Sequence, residues 1–375
     1  MKRQSKSERV LHEFATEQAR VRAQRDHDRA RRRVRHLEAS LSAAVQRIDL
    51  LERVEHADPK PPEWTQRMPK GGAHRAIVNV LLSDTHFDEV VRACEVGYYN
   101  AYNRVIAEKR LQRMRYKISE LTHRYLSGIQ YDGLVLALGG DIFSGNIHDE
   151  LRETNEDTLY GSLLHWSEKL ITFISTLVDE FKHVYCVGVV GNHGRNTIKP
   201  RAKFRARDNL DWLVYQMVAR AVPQAHWYIP ENVDADFKIY NSSYKLTHGD
   251  QFSGGSGISG MLTPITLGQH RKAVADIAIG KTFDCLMMGH WHQYWPTQHL
   301  IVNGTTKGRD EFSVTKNYRP EKPYQALWLT TPEYGVSFPN PIHCADPIAE
   351  GWGEECSWRI HATTPTGRPV TTPNR

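Results

Sequence analysis

Six short apolar runs, nearly all closing on Asp, Asn or His, constrain this chain more than any other feature. They read AIVNVLLSD (76–84), GLVLALGGD (133–141), HVYCVGVVGNH (183–193), YKLTHGD (244–250), FDCLMMGHWH (283–292) and HLIVNG (299–304). A continuous, β-branched apolar run of this length is what a strand buried on both faces of a sheet requires. Helix-like stretches at residues 90–126 and 158–181 lie between the runs. Strands alternating with helices predict an α/β fold.

In open α/β sheets ligands sit beyond the carboxyl ends of the strands, so side chains at successive strand exits meet however far apart they lie in the chain. Asp84 and His86 leave the first run, Asp141 the second, Asn192 and His193 the third, His248 the fourth, and His290 and His292 the fifth. Carboxylate, imidazole and amide groups hold borderline divalent metals such as Mn, Fe or Zn. Asp-x-His and His-x-His predict that each pair projects from one side of an extended backbone. With His193 reserved for chemistry, seven ligands remain, too many for one such ion. Two ions roughly 3.5–4 Å apart sharing a carboxylate would use them all, with Asp141 as the natural bridge. Glycines at 139, 140, 191, 249 and 289 adjoin these residues and let backbone approach an ion or a phosphate closely.

The ordered series SDTH, GGD, GNH, HGD and GHWH, spread over about 210 residues, resembles the calcineurin-like metallophosphoesterase superfamily, whose pattern is D-x-H, G-D, G-N-H, H and G-H-x-H. The resemblance implies a four-layer αββα sandwich with two divalent ions at the sheet edges, Mn2+ foremost, with Fe, Zn or Mg as alternatives. It implies a first ion held by Asp84, His86, Asp141 and His292 and a second held by Asp141, Asn192, His248 and His290. It also implies in-line attack on phosphorus by a hydroxide bridging the ions, with His193 as general acid for the leaving oxygen. Two departures stand out. Many members follow GNH with an acid, whereas Gly194 and Arg195 stand here, which leaves Asp88, Glu89, His148 and Asp149 as candidates to support His193. Where many members read H-G-H, this chain reads HGD, so Asp250 either orients a ligand histidine or caps a loop.

Metals and His193 define a reaction rather than a substrate. RNTIKPRAKFRAR (195–207) holds six Lys and Arg and no acid. Arg195, Lys199, Arg201, Lys203 and Arg205 suit a polyanion, because each extra phosphate needs its own cation. The alternative is a solvated loop that offsets acids elsewhere. Lys307 and Arg309 are candidates for the same rim. GDQFSGGSGISG (249–260) reads as a mobile flap or an ordinary connection, and Trp291 and Trp295 as base-stacking or packing residues. The leading expectation is a nuclease or phosphodiesterase acting on nucleic acid, similar to exonucleases of double-strand-break processing and to bacteriophage-encoded members of the superfamily. A phosphomonoesterase (protein phosphatase or nucleotidase) or a cyclic-nucleotide phosphodiesterase would use the same metals, and a non-catalytic binding module would keep only the fold.

The net charge of +6 is local, since residues 1–55 carry fourteen Lys and Arg against nine Asp and Glu. Val34, Leu37, Leu41, Ala44, Ile48 and Leu51 follow a heptad seam in a stretch free of Pro and Gly. The seam predicts a long helix that either packs on its own domain or pairs as a homodimer. Pro and Gly mark 56–75 as a linker, leaving 76–340 as the catalytic domain and 341–375 as an extension with a disordered end. The five cysteines never form CxxC, which argues against a disulfide framework or a thiolate zinc site and fits a reducing cytoplasm. No apolar run approaches the roughly 20 residues of a spanning helix, so no membrane partner is expected.

Overall fold

The computed structural model describes residues 60–68, 74–253 and 260–351, together with Gln24, Arg31, Arg32 and Arg35. Contacts divide the chain into Met1–Asp58 and Pro59–Arg375. In the first unit the four described residues are helical and exposed. The heptad seam, the homodimer expected through it, the glycine- and serine-rich stretch 254–259 and the tail beyond 351 lie outside the described residues.

In the second unit the strands are β1 (Arg75–Leu82), β2 (Gln130–Leu138), β3 (Val184–Gly188), β4 (His226–Tyr228), β5 (Asp234–Ile239), β6 (Ser242–Thr247), β7 (Cys285–Met288), β8 (Trp295–Pro296), β9 (Leu300–Val302), β10 (Tyr324–Thr331) and β11 (Gly335–His343). The longer helices are α1 (Arg104–Glu120), α2 (Leu159–Phe181), α3 (Leu210–Ala221) and α4 (Leu262–Ala278). One sheet has the order β11-β10-β1-β2-β3-β4 and the other β5-β6-β7-β9-β8. The chain is a mixed α/β fold with two sheets.

Alternation explains why β1 is apolar from Ala76 to Leu82 except at Asn79, whose amide donates to Thr330 Oγ1 (2.8 Å). Ala76, Val78, Val80 and Leu82 enter a core with Met114 and Ile118 of α1, Trp166 and Leu170 of α2 and Val214 of α3. Ile77 and Leu81 face the other way, into a core shared with Phe237, Leu246, Met287 and Ile301 of the second sheet. Leu286 and Met288 of β7 turn outward again, against Phe252 and Ile265. A strand feeding apolar cores on both faces leaves no position for a polar stripe.

Three sequence expectations change. The helix expected from residue 90 begins at Arg104, where Asn103 Oδ1 accepts the Ile106 N–H (2.9 Å). The preceding residues form a short 3-10 turn, Ala93–Val96, closed by Gly97 in the left-handed region, and a backbone bridge between Val91 and Tyr102. The bridge carries Tyr102 inward, where its hydroxyl donates to the Thr85 carbonyl (2.5 Å). Secondly, a strand that is not among the six apolar runs, β10, pairs directly with β1, and its Gln325 is buried and serves the strand exits. Thirdly, part of the expected linker is packed: Thr65 is buried and its carbonyl accepts the Tyr240 N–H (2.6 Å). Among the described residues no helix is long and apolar enough to cross a membrane.

Phe87, one residue past His86, stacks on Trp166 of α2 with ring centroids 3.7 Å apart and planes 3° from parallel. Both rings are buried, so the loop after β1 is anchored from the helical side. Replacing Trp166 with Ala is expected to lower unfolding free energy by about 3–5 kcal/mol, read from denaturant unfolding curves.

Candidate metal centre

β1, β2 and β3 run parallel, so their carboxyl ends share one edge of the first sheet, as β6 and β7 do in the second. Beyond the strands the first two loops stay in register. The Asp84 N–H donates to the Gly140 carbonyl (3.0 Å), His86 N–H to Asp141 (3.1 Å) and Phe87 N–H to Ile142 (2.9 Å). The Asp-x-His and His-x-His pairs are not on extended backbone, contrary to the reading from strand alternation. β1 ends at Leu82 and β7 at Met288, and Asp84, His86, Asp141, His290 and His292 all have left-handed φ, between 45° and 69°. Such non-glycine conformations cost of order 1–3 kcal/mol each and persist where surrounding contacts over-determine them.

The ligand atoms of Asp84, His86 and His292 lie within 4.8 Å of one another, as do those of Asp141, His248 and His290 and those of His86, Asp141 and His193. The two histidines of GHWH therefore fall in different groups, while Asp141 and His86 each belong to two. His248 Nε2 is 3.1 Å from both Asp141 Oδ2 and Asn192 Oδ1. His86 Nε2 and His292 Nε2 face each other at 3.1 Å, and His292 Nε2 is 3.4 Å from Asp84 Oδ1. Above the cluster lies a cavity of about 470 Å³ lined by His86, Asp141, Asn192, His193, His290 and His292 among others.

These residues fit divalent cations. Nitrogen and oxygen donors converge with no thiolate among them, a set suited to Mn, Fe, Zn or Mg. Burial, reinforced by Lys307, holds His86 well below the usual imidazole range. Burial and the neighbouring His248 take His290 down to about 4. Both are neutral imidazoles whose lone pairs a metal can use. His248 shows the complementary effect: burial opposes its charge, yet Asp141 beside it lifts its pKa to about 10. The pocket favours positive charge at this position.

Asp211, which sequence reasoning missed, organises the exits. Its Oδ2 accepts the N–H groups of Asp141 and Gly191, both at 2.9 Å, and its Oδ1 accepts that of Ile142 (3.2 Å). Burial, with Asp141 close by, raises its pKa to about 6. The available signal was N-L-D at a helix start, where Asn209 caps α3 through the Asp211 N–H (2.8 Å) and its Nδ2 donates to the Gly191 carbonyl (2.9 Å). A Cβ at Gly191 would fall 2.1 Å from Asp141 Oδ1, which is why that position carries no side chain.

The supports expected for the histidines are differently placed. His193 Nδ1 meets the Ser144 carbonyl (2.8 Å) rather than a carboxylate. Asp88 is held by Arg104 (2.7 Å), and His148 is an aromatic neighbour of His193 at 5.8 Å between centroids. Asp149 lies in the first turn of the short helix Asp149–Thr154. Asp250 accepts from Arg205 (2.7 Å), whereas His248 is fixed through Nδ1 by the Gly139 carbonyl (2.8 Å). Glu89 does reach a ligand: its Oε2 lies 3.4 Å from His86 Nδ1, and neither buried atom has a hydrogen-bond partner. The other Glu89 oxygen accepts from Lys307 (2.8 Å). Lys307 is thus a buried cation between Glu89 and Asp310, not a residue of the rim. Asn303 and Gln325 complete the frame, their side chains bonding to Ser83 Oγ (2.8 Å) and Ser83 N–H (2.9 Å) respectively.

The basic loop divides. Arg195 donates to the carbonyls of Asn192, Thr197 and Ile198 at 2.8–3.0 Å, a role within the loop, and Arg205 ties the loop to Asp250 past the exit of β6. Lys199, Arg201 and Lys203 are exposed.

The fold and site define a mixed α/β protein with a His/Asp cluster where two sheets' strand exits meet. No family model matches the chain, and no curated protein matches it. Among solved structures, Vps29 from Entamoeba histolytica is similar over 70% of this chain and 98% of its own, at 14% identity and a TM-score of 0.29. A predicted phosphoesterase from Streptococcus pneumoniae is similar over 70% of this chain and 95% of its own, at 11% identity and a TM-score of 0.24. The sulfate thiohydrolase SoxB from Thermus thermophilus is similar over 77% and 61%, at 7% identity and a TM-score of 0.33. Likeness at this level carries no functional argument, which has to come from the side chains.

Two substitutions test the frame. Asp211→Asn puts an amide NH2 where backbone donors need an acceptor. It is expected to cost about 1–3 kcal/mol of stability and to weaken Mn2+ binding, read by denaturation and calorimetric titration. Glu89→Gln should weaken Mn2+ binding by about 10- to 100-fold in a chain that still folds. Unchanged affinity would show that His86 is oriented without it.

Proposed function

We propose that the chain is a divalent-metal-dependent phosphoester hydrolase of the calcineurin-like type, with that superfamily's αββα layering, and that it acts on phosphodiesters of nucleic acid. The observation that carries this reading is the convergence of side chains from five strand exits on one cluster, with Asp141 and His86 each common to two of its groups and Asn192 beside His248. Asp84, His86, Asp141 and His292 would hold one ion, and Asp141, Asn192, His248 and His290 a second. When bound, such ions supply Lewis acidity toward a phosphoryl oxygen and lower the pKa of water.

The remaining chemistry belongs to His193. Its Nδ1 is engaged by the Ser144 carbonyl, which leaves Nε2 as the atom able to hold or release a proton. Burial lowers the His193 pKa against the pull of Asp141, so the free enzyme keeps it neutral. An arriving phosphate brings negative charge within hydrogen-bonding reach, which favours the imidazolium. The proton is then in place for transfer to the leaving oxygen.

A polyanionic substrate is supported by Lys199, Arg201 and Lys203, which are exposed and make no ion pair among the described residues. They stand on the loop that begins at Asn192 and His193. A loop cation next to the reacting phosphate has most to offer when further phosphates flank it.

With Mn2+ present, the chain is expected to hydrolyse an aryl phosphodiester and single-stranded DNA in preference to an aryl phosphate. His193→Ala should lower kcat by about 10²- to 10⁴-fold without changing bound metal measured by elemental analysis. Turnover of the monoester alone would overturn the substrate class, and an unaffected His193→Ala would overturn the assignment of the acid.

A further inference from the structure

The cavity over the cluster does not end at the metal ligands. A neighbouring cavity of about 770 Å³ shares Trp291, Gln293, Tyr318, Arg319 and Glu321 with it. One groove therefore runs from the His/Asp cluster past Trp291 to Trp295. Trp291 and Trp295 are partly buried and pack on the core beneath the second sheet, so the packing and ligand-contact readings are compatible: each ring is anchored by the core while lining the groove.

The opposite wall combines aromatic and cationic groups. Phe312 is 57% exposed and Tyr318 40%, with their rings edge to face at 6.0 Å. Lys316 Nζ lies 5.7 Å from the Phe312 ring centroid, and Arg319 is exposed. The one acid shared by both cavities, Glu321, has its Oε2 engaged by the Tyr294 N–H (2.8 Å). Two donors also stand without acceptors in the groove wall: Trp291 Nε1 and the Tyr294 hydroxyl are buried and unpartnered.

We propose that this groove seats a single-stranded polynucleotide, with bases against Trp291, Phe312 and Tyr318 and phosphates against Lys316 and Arg319, and that it leads the scissile phosphate to the cluster. The proposal rests on the phosphodiesterase reading and names the form of its substrate. Aromatic faces accept any base, while interleaved cations follow the backbone, so the path is tolerant of sequence. A duplex, whose bases are already stacked on one another, gains nothing from the rings. The uncharged, exposed face of Phe312 would be a poor contact for a lone phosphate.

The test is fluorescence anisotropy with full-length H193A protein, Mn2+ and a labelled single-stranded DNA of roughly 12 nucleotides. Tyr318→Ala and Phe312→Ala should each weaken binding about tenfold, and Tyr318→Phe, which keeps the ring, should restore it. Neutralising Lys316 and Arg319 together with Gln should flatten the slope of log K against log salt by about 1.4. Unchanged affinity in a folded Tyr318→Ala chain, equal losses for a duplex, or no binding by the parent chain would each overturn the groove. So would a loss confined to a variant neutralised at Lys199, Arg201 and Lys203. Hydrolysis of a small aryl diester by the chain with His193 intact reports the reaction separately. Groove-dependent binding without that hydrolysis removes the reaction and keeps the groove, whereas hydrolysis with groove-independent binding removes the groove alone.

Discussion

The contact between Asp211 and the backbone of Asp141 and Gly191 holds the rest of the site in place. One buried carboxylate accepts N–H groups from the loops after β2 and β3, and these are the loops that deliver Asp141, Asn192 and His193. Because Asp211 sits in the first turn of α3, the helical layer sets where two strand exits stop. Asp141 then passes the order onward, accepting the His193 N–H (2.7 Å) on Oδ1 while Oδ2 lies against His248. His248 belongs to the other sheet. The chain from α3 to β6 thus crosses both sheets through a few short contacts, and a displacement anywhere along it moves ligands of both groups.

A second frame, on the opposite side of the cluster, is ionic. Lys307 is buried, and although burial opposes its charge, Asp310 and Glu89 raise its pKa. A buried ion is tolerable only when paired and hydrogen-bonded, and here the pairing fixes Glu89 beside His86 Nδ1. Arg110, fully buried, does the same for the loop itself, donating to the Thr306 and Lys307 carbonyls (2.8 and 2.7 Å) and to Glu350. Residues as late as Glu350 therefore bear on the geometry at His86.

The strand exits were legible because ligand chemistry is written in residue types at the ends of apolar runs. The Asp84, His86, Asp141, Asn192, His193, His248, His290 and His292 set could be read without a contact map, since parallel strands bring their carboxyl ends together. What could not be read was conformation and occupancy. Left-handed backbone at Asp84 or His292 has no signature in a D-x-H or H-x-H spacing, because Asp and His give no local sign of the surroundings that hold them there. Arg195 and Arg205 look like Lys199 and Arg201 in a charge count, yet carbonyls and Asp250 absorb them. Lys307 followed a strand exit and resembled a rim cation, although two acids distant in sequence or hidden in an ordinary loop bury it. Asp211 resembled helix-capping chemistry and became the clamp only when three N–H groups from elsewhere met it. Gln325 was invisible because a polar residue beside an apolar run weakens the strand signal where it serves the site, whereas Asn303 stood in plain view at the end of HLIVNG and only its partners were hidden.

The division between the two walls of the cavity follows from these constraints. Most of the cluster's side chains sit on left-handed turns held by neighbouring hydrogen bonds, and preorganised charge is most effective when it need not rearrange. Among the described residues the side chains of Phe312, Tyr318 and Arg319 belong to no comparable network: the two rings meet edge to face, Lys316 lies over Phe312, and all three are exposed. Under the proposed reading, a rigid floor would fix where a phosphate reacts, and a looser wall of rings and cations would accept successive nucleotides that differ in base. On that reading, selectivity for the reacting bond and tolerance toward its flanks would arise from different degrees of burial among residues of the same cavity.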